Sequence, residues 1–360
     1  MLLLLITMAV GLPAVLALTQ HQRVAVIGTT GQLGREAIQL LSQQGIATRC
    51  LLRHDISSAP SSNNNNNNKP TATSTSAHVA AYLAKLPGVE LVPGDINDPA
   101  SLERLLRGTT ACLALHGPVA PRPWFRSVLL PQLLFPESDP AHPQQLNYVG
   151  VRNLLQAMQN SEKCKHLVRV SGKGESPWSI FSILLNVLGG MAKGWNYEGE
   201  QLIRTTMASD TSLSYTIIRP GRLQQATTTT TTSSDTTATT TTTPLLLGYR
   251  DNGLDLPVSM VSYQQLAALV TTTCLTRENF QRATVTAMNV VDTTTSSSSS
   301  SEYYYMSVED VRPDTRLFPA TLIAEHKRAA RVGGLTFLGV SSVMTLLFAN
   351  LVASLVKRLM

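Results

Sequence analysis

The sequence has few cysteines, few aromatic residues and few charges. Its four cysteines, Cys50, Cys112, Cys164 and Cys274, lie far apart in a chain of 360 residues, which is not the spacing of a disulfide framework or a metal site. Aromatic residues make up 5% of the chain and charged residues 14%, and the net charge of +6 is not gathered into a basic stripe with interleaved aromatic residues. A nucleic-acid surface would need such a stripe. We therefore predict no metal and no nucleic-acid partner.

A β-branched strand followed by spaced glycines stands near the start of the chain. Val24–Ile27 lead directly into Gly28, Gly31 and Gly34, and 35–44 has the apolar spacing of an amphipathic helix. Such a turn lets backbone approach a pyrophosphate, and the helix after it aims free N–H groups at the phosphates. A purely structural glycine turn is the alternative, but the flanking strand and helix favour a nucleotide site. The residues predicted to hold the phosphates are Gly28, Thr29, Thr30, Gly31, Gln32, Leu33 and Gly34.

The residue after the second predicted strand indicates which cofactor is bound. The strand covers 46–52 and is followed by Arg53. An acidic residue there would bind a ribose 2′-hydroxyl, whereas arginine suits a 2′-phosphate. Arg53 therefore favours NADP(H) over NAD(H), with a solvated loop arginine as the alternative. After a third strand over 89–92, we expect Asp95 and Ile96 beside the adenine ring.

These residues resemble those of the atypical short-chain dehydrogenase/reductases, in particular the NmrA-like and plastid Tic-type NAD(P)-binding proteins. The matching segments extend from 23 to 292 and include Gly94-Asp95, 147–154, 166–171 and 215–221. The resemblance implies an α/β fold with a Rossmann-like, doubly wound parallel sheet. It also implies NAD(P) across the carboxyl ends of the strands, with Ser171 and Pro220 near the nicotinamide.

The resemblance is incomplete at the expected catalytic residues. Members of the wider superfamily carry Tyr-x-x-x-Lys after the fifth strand, because the lysine lowers the pKa of the tyrosine for proton relay. Here a glutamine stands four residues after Tyr197, and Asn196 stands where atypical relatives have a lysine four residues before Glu200. Lys193 would share a helix face with Tyr197 in the reversed order. The candidate catalytic residues are Ser171, Tyr197 and Lys193, and a polar helix face toward solvent is the alternative.

Several segments are compositionally distinct from this domain. The stretches 57–76, 227–243 and 293–301 are rich in asparagine, threonine or serine, and they predict disordered insertions because such tracts bury little apolar surface. The proline-rich but apolar stretch 118–143 predicts either a lid over the substrate pocket or a structured loop. The apolar stretch 178–188 predicts a packed helix in the pocket wall, with a surface resting on a membrane as the alternative.

Both chain ends are apolar. Residues 1–18 predict a signal peptide or a signal anchor. Residues 332–356 carry no charge, and about 20 apolar residues suffice to cross a bilayer as a helix. We therefore predict a transmembrane helix there, after a juxtamembrane segment over 302–331, with a buried or dimerisation helix as the alternative. The protein is then expected in an endomembrane or organelle membrane, as a single-pass or double-pass protein.

Two functions remain open at this point. The first is a membrane-attached, NADPH-dependent oxidoreductase acting on a small apolar substrate that is lipid-soluble if the surface at 178–188 rests on the membrane. The second is a non-catalytic NAD(P)-binding redox sensor, scaffold or assembly factor with a protein partner. The incomplete tyrosine and lysine pattern favours the second function, and the glycine turn is required by both.

Overall fold

The computed structural model describes residues 22–53, 72–117, 139–172, 176–225, 245–248, 260–289, 313–314 and 321–359. The predicted segments 1–18, 227–243 and 293–301 lie outside the described residues, as do most of 57–76 and most of 118–143. The end of the stretch predicted as a loop over 57–76 is helical, because a helix begins at Ala72.

The described chain alternates strands and helices in the manner of an α/β protein. Its strands are β1 Arg23–Ile27, β2 Ala47–Leu52, β3 Val89–Pro93, β4 Ala111–Ala114, β5 His166–Val170, β6 Ser214–Pro220, β7 Arg222–Gln224, β8 Leu245–Gly248, β9 Met260–Ser262 and β10 Ala283–Asn289. Its α-helices are α1 Gln32–Gln43, α2 Ala72–Leu83, α3 Pro99–Leu106, α4 Gly150–Asn160, α5 Ile180–Leu188, α6 Ala192–Ser209, α7 Tyr263–Leu275 and α8 Thr321–Leu359. A π-helical turn, Gln145–Val149, leads into α4.

The main sheet has eight strands in the order β3-β2-β1-β4-β5-β6-β10-β8. Its pairs are parallel except that of β10 with β8, which is antiparallel. The order reverses between β1 and β4, and open α/β sheets bind ligands outside the carboxyl ends of the strands at such a reversal. The predicted Rossmann-like sheet is therefore confirmed.

Apolar side chains on the two faces of the sheet form two separate cores. In β1, Val24 and Val26 belong to the core shared with α1 and α7, whereas Ala25 and Ile27 belong to the core shared with α3 and α4. Side chains of a strand alternate between faces, and a sheet covered on both sides needs apolar residues at successive positions. The β-branched run in the sequence is thus explained by burial on both faces.

The predicted transmembrane helix over 332–356 is not supported. Within the residues that the structure describes, no helix has the length and apolar character that a membrane crossing requires. The helix that contains this stretch begins earlier, at Thr321, and its first turns pack on the domain. There Ala329 and Ala330 are buried, and a Cβ on Gly333 would collide with Ile183 of α5.

The interpretation of 178–188 as a packed helix holds for only part of the segment. Ser182 and Asn186 of α5 are buried, and Ile183 lies against Gly333 of α8. Trp178, Ile180, Phe181 and Leu184 are exposed, so these four apolar residues are not packed in the core.

Candidate functional site

The turn after β1 can be built only with glycine at two positions. Gly28 has a φ of 93°, and a Cβ there would lie 2.7 Å from the backbone N of His116 and 2.7 Å from the carbonyl carbon of Leu115. A Cβ on Gly34 would collide with the carbonyl oxygen of Gly28. The turn is closed by a hydrogen bond from Gly31 N to the carbonyl oxygen of Gly28, 3.1 Å long. The backbone of β1, the start of α1 and the end of β4 therefore meet at the strand-order reversal.

The start of α1 has open hydrogen-bond donors. The helix begins at Gln32, its N-cap is Gly31 without a side-chain hydrogen bond, and its first turn has no acidic residue. The first N–H groups of a helix lack intrahelical partners, and together with the helix dipole they favour an anion. This backbone fits the phosphates of a dinucleotide.

The residues predicted to hold the phosphates differ in the exposure of their side chains. Thr29 is buried, and its hydroxyl donates a 2.8 Å hydrogen bond to the carbonyl oxygen of Leu51 at the end of β2. Leu33 belongs to the core. These two residues can offer a ligand only their backbone. Gly31 is exposed, and Thr30 and Gln32 are partly exposed.

The residues predicted to contact the adenosine follow β2 and β3 at the same edge of the sheet. Arg53 comes directly after β2 and is exposed. The carboxylate of Asp95 accepts a 2.8 Å hydrogen bond from Asn97 N. Ile96 is in the core, so it can present only backbone to an adenine ring.

A buried arginine ties together the ends of β4 and β5. Arg169 donates to the carbonyl oxygens of Ala114 at 3.2 Å and His116 at 2.7 Å, and to Oδ1 of Asn147 in the π-helical turn at 2.9 Å. Burial, opposed by Glu200, lowers the pKa of Arg169 to about 10. It therefore remains charged at neutral pH.

Two polar atoms around this arginine have no hydrogen-bond partner among the described residues, namely Nδ1 of His116 and Nδ2 of Asn147. Nε2 of His116 lies 3.2 Å from the carbonyl oxygen of Leu146, which can only accept, so Nδ1 is the acceptor nitrogen. Burial and the neighbouring Arg169 hold the pKa of His116 well below its usual range. Buried polar atoms without partners are rare in native proteins, and this acceptor and donor fit a polar ligand.

A buried ion network lies at the ends of β5 and β6. Glu200 of α6 forms ion pairs with Arg219 of β6 and, at 3.3 Å, with Arg204. The Ser171 hydroxyl donates a 2.6 Å hydrogen bond to Glu200 Oε1. Burial raises the pKa of Glu200, but Arg219, Arg204 and the hydrogen bonds from Arg219 and Ser171 outweigh it and lower this pKa to about 2.

This network restricts what Ser171 can do. Because the single hydroxyl proton is directed at Glu200, the oxygen can accept a hydrogen bond but has none left to donate. Ser171 in this arrangement suits a nicotinamide amide N–H or a substrate hydroxyl. It does not suit a substrate carbonyl.

Lys193 and Tyr197 are both on α6 and both buried, with exposed fractions of 8% and 7%. The alternative of a polar face toward solvent is therefore wrong. The Tyr197 ring lies 5.1 Å from the guanidinium carbon of Arg219, which pairs with Glu200. Tyr197 is thus joined to Ser171 through two neighbouring side chains.

Comparison with known proteins assigns the family. A family model described as NAD(P)H-binding matches residues 63–244. The chain belongs to this NAD(P)H-binding family. The match begins after β2 and does not include the glycine turn. The predicted NAD(P)-binding family is confirmed, and the finer resemblance to the atypical short-chain dehydrogenase/reductases stays a prediction.

Solved structures similar to this NAD(P)H-binding protein are distant in sequence. A wide-type short-chain dehydrogenase/reductase from Veillonella parvula, in complex with NADP, is 10% identical with a TM-score of 0.48, over 74% of this chain and 94% of that chain. The oxidoreductase ylbE from Lactococcus lactis is 15% identical with a TM-score of 0.46, over 75% and 91%. No curated protein matches the chain.

Several residues of the site were not among those predicted from the sequence. Arg169, Asn147 and His326 belong to this group. A signal existed for the first, because an arginine inside the apolar segment 166–170 must find a partner when the strand is buried. No local pattern indicated that His326 would reach the site from the C-terminal helix.

The hydroxyl of Thr29 is expected to stabilise the turn of this NAD(P)H-binding protein. Thr29→Val removes the hydrogen bond to Leu51 and leaves a buried carbonyl without that partner, so the free energy of unfolding should fall by about 1–3 kcal/mol. Urea unfolding of the full-length chain measures this. Thr30→Val in the same turn is the matched control and should change it by less than about 0.5 kcal/mol. Equal effects of the two variants would contradict the role given to Thr29.

Proposed function

We propose that this chain is an NADPH-dependent oxidoreductase that acts on a small apolar carbonyl compound or the corresponding alcohol. The observation that carries the proposal is the turn at the strand-order reversal, where glycine is required at positions 28 and 34 and the start of α1 offers open N–H groups. Both functions named from the sequence need this turn. The burial of Lys193 and Tyr197 on α6 favours chemistry.

Different residues around the turn would bind different parts of a dinucleotide. The backbone of 28–34 would hold the pyrophosphate, and Arg53 would pair with the 2′-phosphate. Asp95 and the backbone of Ile96 would border the adenine, and Ser171 and Pro220 the nicotinamide. When bound, NADPH supplies the hydride for a carbonyl carbon.

The chain's own groups would orient the substrate. Tyr197 and Lys193 are the candidate groups for its oxygen, and both lie where water has little access. The Lys193 Nζ lies 6.0 Å from the centre of the Phe181 ring. A pocket with apolar walls and one polar contact would suit a small apolar molecule with a single oxygen.

Arg53 is expected to set the cofactor preference. Arg53→Ala removes a charge-assisted contact worth about 1.5–3 kcal/mol, so the Kd for NADPH should rise roughly 10-fold to 150-fold while that for NADH stays unchanged. Fluorescence titration with each cofactor measures both constants. Arg107→Ala is the control, since Arg107 is also exposed but follows α3. Equal weakening of both cofactors, or of neither, would contradict the preference for NADPH.

A redox sensor remains the second candidate function. It is favoured by one observation: Ser171 directs its hydroxyl proton at Glu200, so the serine has no proton for a substrate carbonyl. An assay of NADPH absorbance at 340 nm separates the reductase from the redox sensor. The full-length chain is incubated with NADPH and a panel of aldehydes and quinones. Consumption of NADPH supports the reductase. Tight NADPH binding without consumption supports the sensor.

A further inference from the structure

The C-terminal helix brings a histidine into contact with Tyr197. His326 of α8 is fully buried, and the centre of its ring lies 4.8 Å from that of the Tyr197 ring, with 25° between the planes. Arg219 lies 5.1 Å from the same tyrosine ring. His326 is therefore placed beside the groups proposed to orient the substrate.

The position of His326 is fixed by packing of the residues that follow it in α8. Lys327 Nζ lies 3.2 Å from Glu198 Oε1 and 5.4 Å from the centre of the Trp195 ring, both on α6. Nearly two turns further, the close approach of Gly333 to Ile183 joins α8 to α5. The imidazole is thus held between two helices of the domain.

Hydrogen bonds determine which ring nitrogen carries the proton. Oδ1 of Asn186 accepts a 3.1 Å hydrogen bond from Gly194 N, which fixes the orientation of the amide. Its Nδ2 lies 3.2 Å from Nδ1 of His326. An amide nitrogen only donates, so Nδ1 accepts and the hydrogen of the neutral ring is on Nε2.

The ring is uncharged at neutral pH. Burial, followed by the nearby Lys193, lowers the pKa of His326 to about 4. Nε2 is buried and has no hydrogen-bond partner among the described residues. A neutral imidazole N–H in a dry site can polarise a carbonyl without giving up its proton.

We propose that His326 is a catalytic residue whose Nε2–H donates a hydrogen bond to the carbonyl oxygen of the substrate. This role is the one that Ser171 cannot fill while its hydroxyl donates a hydrogen bond to Glu200. It makes the C-terminal helix part of the reaction site and requires a substrate with an accessible carbonyl oxygen. The proposal rests on the proposed reductase function.

The first test needs neither cofactor nor substrate. Nitrogen-15 NMR of the histidine-labelled full-length chain at pH 7 is expected to show His326 as the neutral tautomer protonated at Nε2, with the signal assigned by its loss in His326→Phe. A proton on Nδ1, or a charged ring, would overturn the proposal, whether or not the chain binds NADPH.

The second test uses the carbonyl compound that the NADPH consumption assay identifies. His326→Phe keeps an aromatic ring against Tyr197 but removes the donor, so kcat should fall about 100-fold to 1000-fold with the Kd for NADPH unchanged. His326→Gln, which restores an N–H donor, should recover part of kcat. Arg328→Gln, at an exposed residue of α8 two positions after His326, is the control and should leave kcat within about 2-fold.

An unchanged kcat in His326→Phe would overturn the proposal and leave the reductase function standing. A chain that binds NADPH but reduces no carbonyl would overturn both, and the NMR result would still report the state of His326 separately.

Discussion

Replacing Glu200 by glutamine is expected to lower the free energy of unfolding by about 3–5 kcal/mol, because the change leaves buried arginines without their counter-ion. Arg219 and Arg204 are each about 1% exposed at the side chain. Arg204 also lies 3.6 Å from Asp314, which offers it a second carboxylate, so Arg219 is the more strongly affected. Urea unfolding of the full-length chain measures the loss.

The same variant has a predicted pH signature. The pKa of Glu200 is lowered from 4.5 to about 2 in the folded chain, so the unfolded chain takes up this proton first as the pH falls. The stabilisation is fully present above about pH 4.5 and is lost as the pH falls toward 2. Glu200→Gln should flatten the pH dependence of stability in this window. Glu103→Gln, at an exposed residue of α3, is the control, and an equal loss in both variants would contradict the role of the network.

Gly28→Ala is expected to abolish NADPH binding, with the Kd raised at least about 100-fold, a loss of roughly 3 kcal/mol. The new Cβ would meet the backbone of Leu115 and His116 at a φ of 93°, so the turn must move away from the end of β4. Because backbone cannot shift as easily as a flexible side chain, the phosphate donors at the start of α1 are displaced with it.

Gly117→Ala is the matched control for this variant. Gly117 follows β4, its φ is not in the left-handed region, and an added Cβ would meet none of the described residues within 4 Å. Cofactor fluorescence measures both variants. NADPH binding that survives Gly28→Ala within about 3-fold would show that the cofactor does not use this turn.

Local patterns in the sequence were sufficient for the sheet and the turn. The β-branched run of β1 indicates a strand that is buried on two faces. The glycines after it indicate a turn that has no room for a Cβ. The N-cap of α3 likewise depends on neighbouring residues, because the Asp98 carboxylate accepts hydrogen bonds from Ala100 N and Ser101 N.

The residues that sequence reasoning missed depend on contacts between distant parts of the chain. His326 reaches Tyr197 across more than a hundred residues, and Arg169 meets Asn147 only because β5 lies beside β4. The apolar residues of α5 could not be assigned to a face from composition, because their direction depends on how α5 packs against α6 and α8. The absence of charge over 332–356 likewise gave no information about the packing of the preceding turns on the domain.

The measurement that tests the central claim most directly is a fluorescence titration of the full-length, wild-type chain with NADPH. The turn at β1, the open start of α1 and the unpaired polar atoms of His116 and Asn147 predict saturable binding at one site per chain, with a Kd between roughly 1 μM and 1 mM, the range in which enzymes hold their substrates. The absence of saturable binding by NADPH and by NADH would contradict the assignment of this edge of the sheet to a dinucleotide.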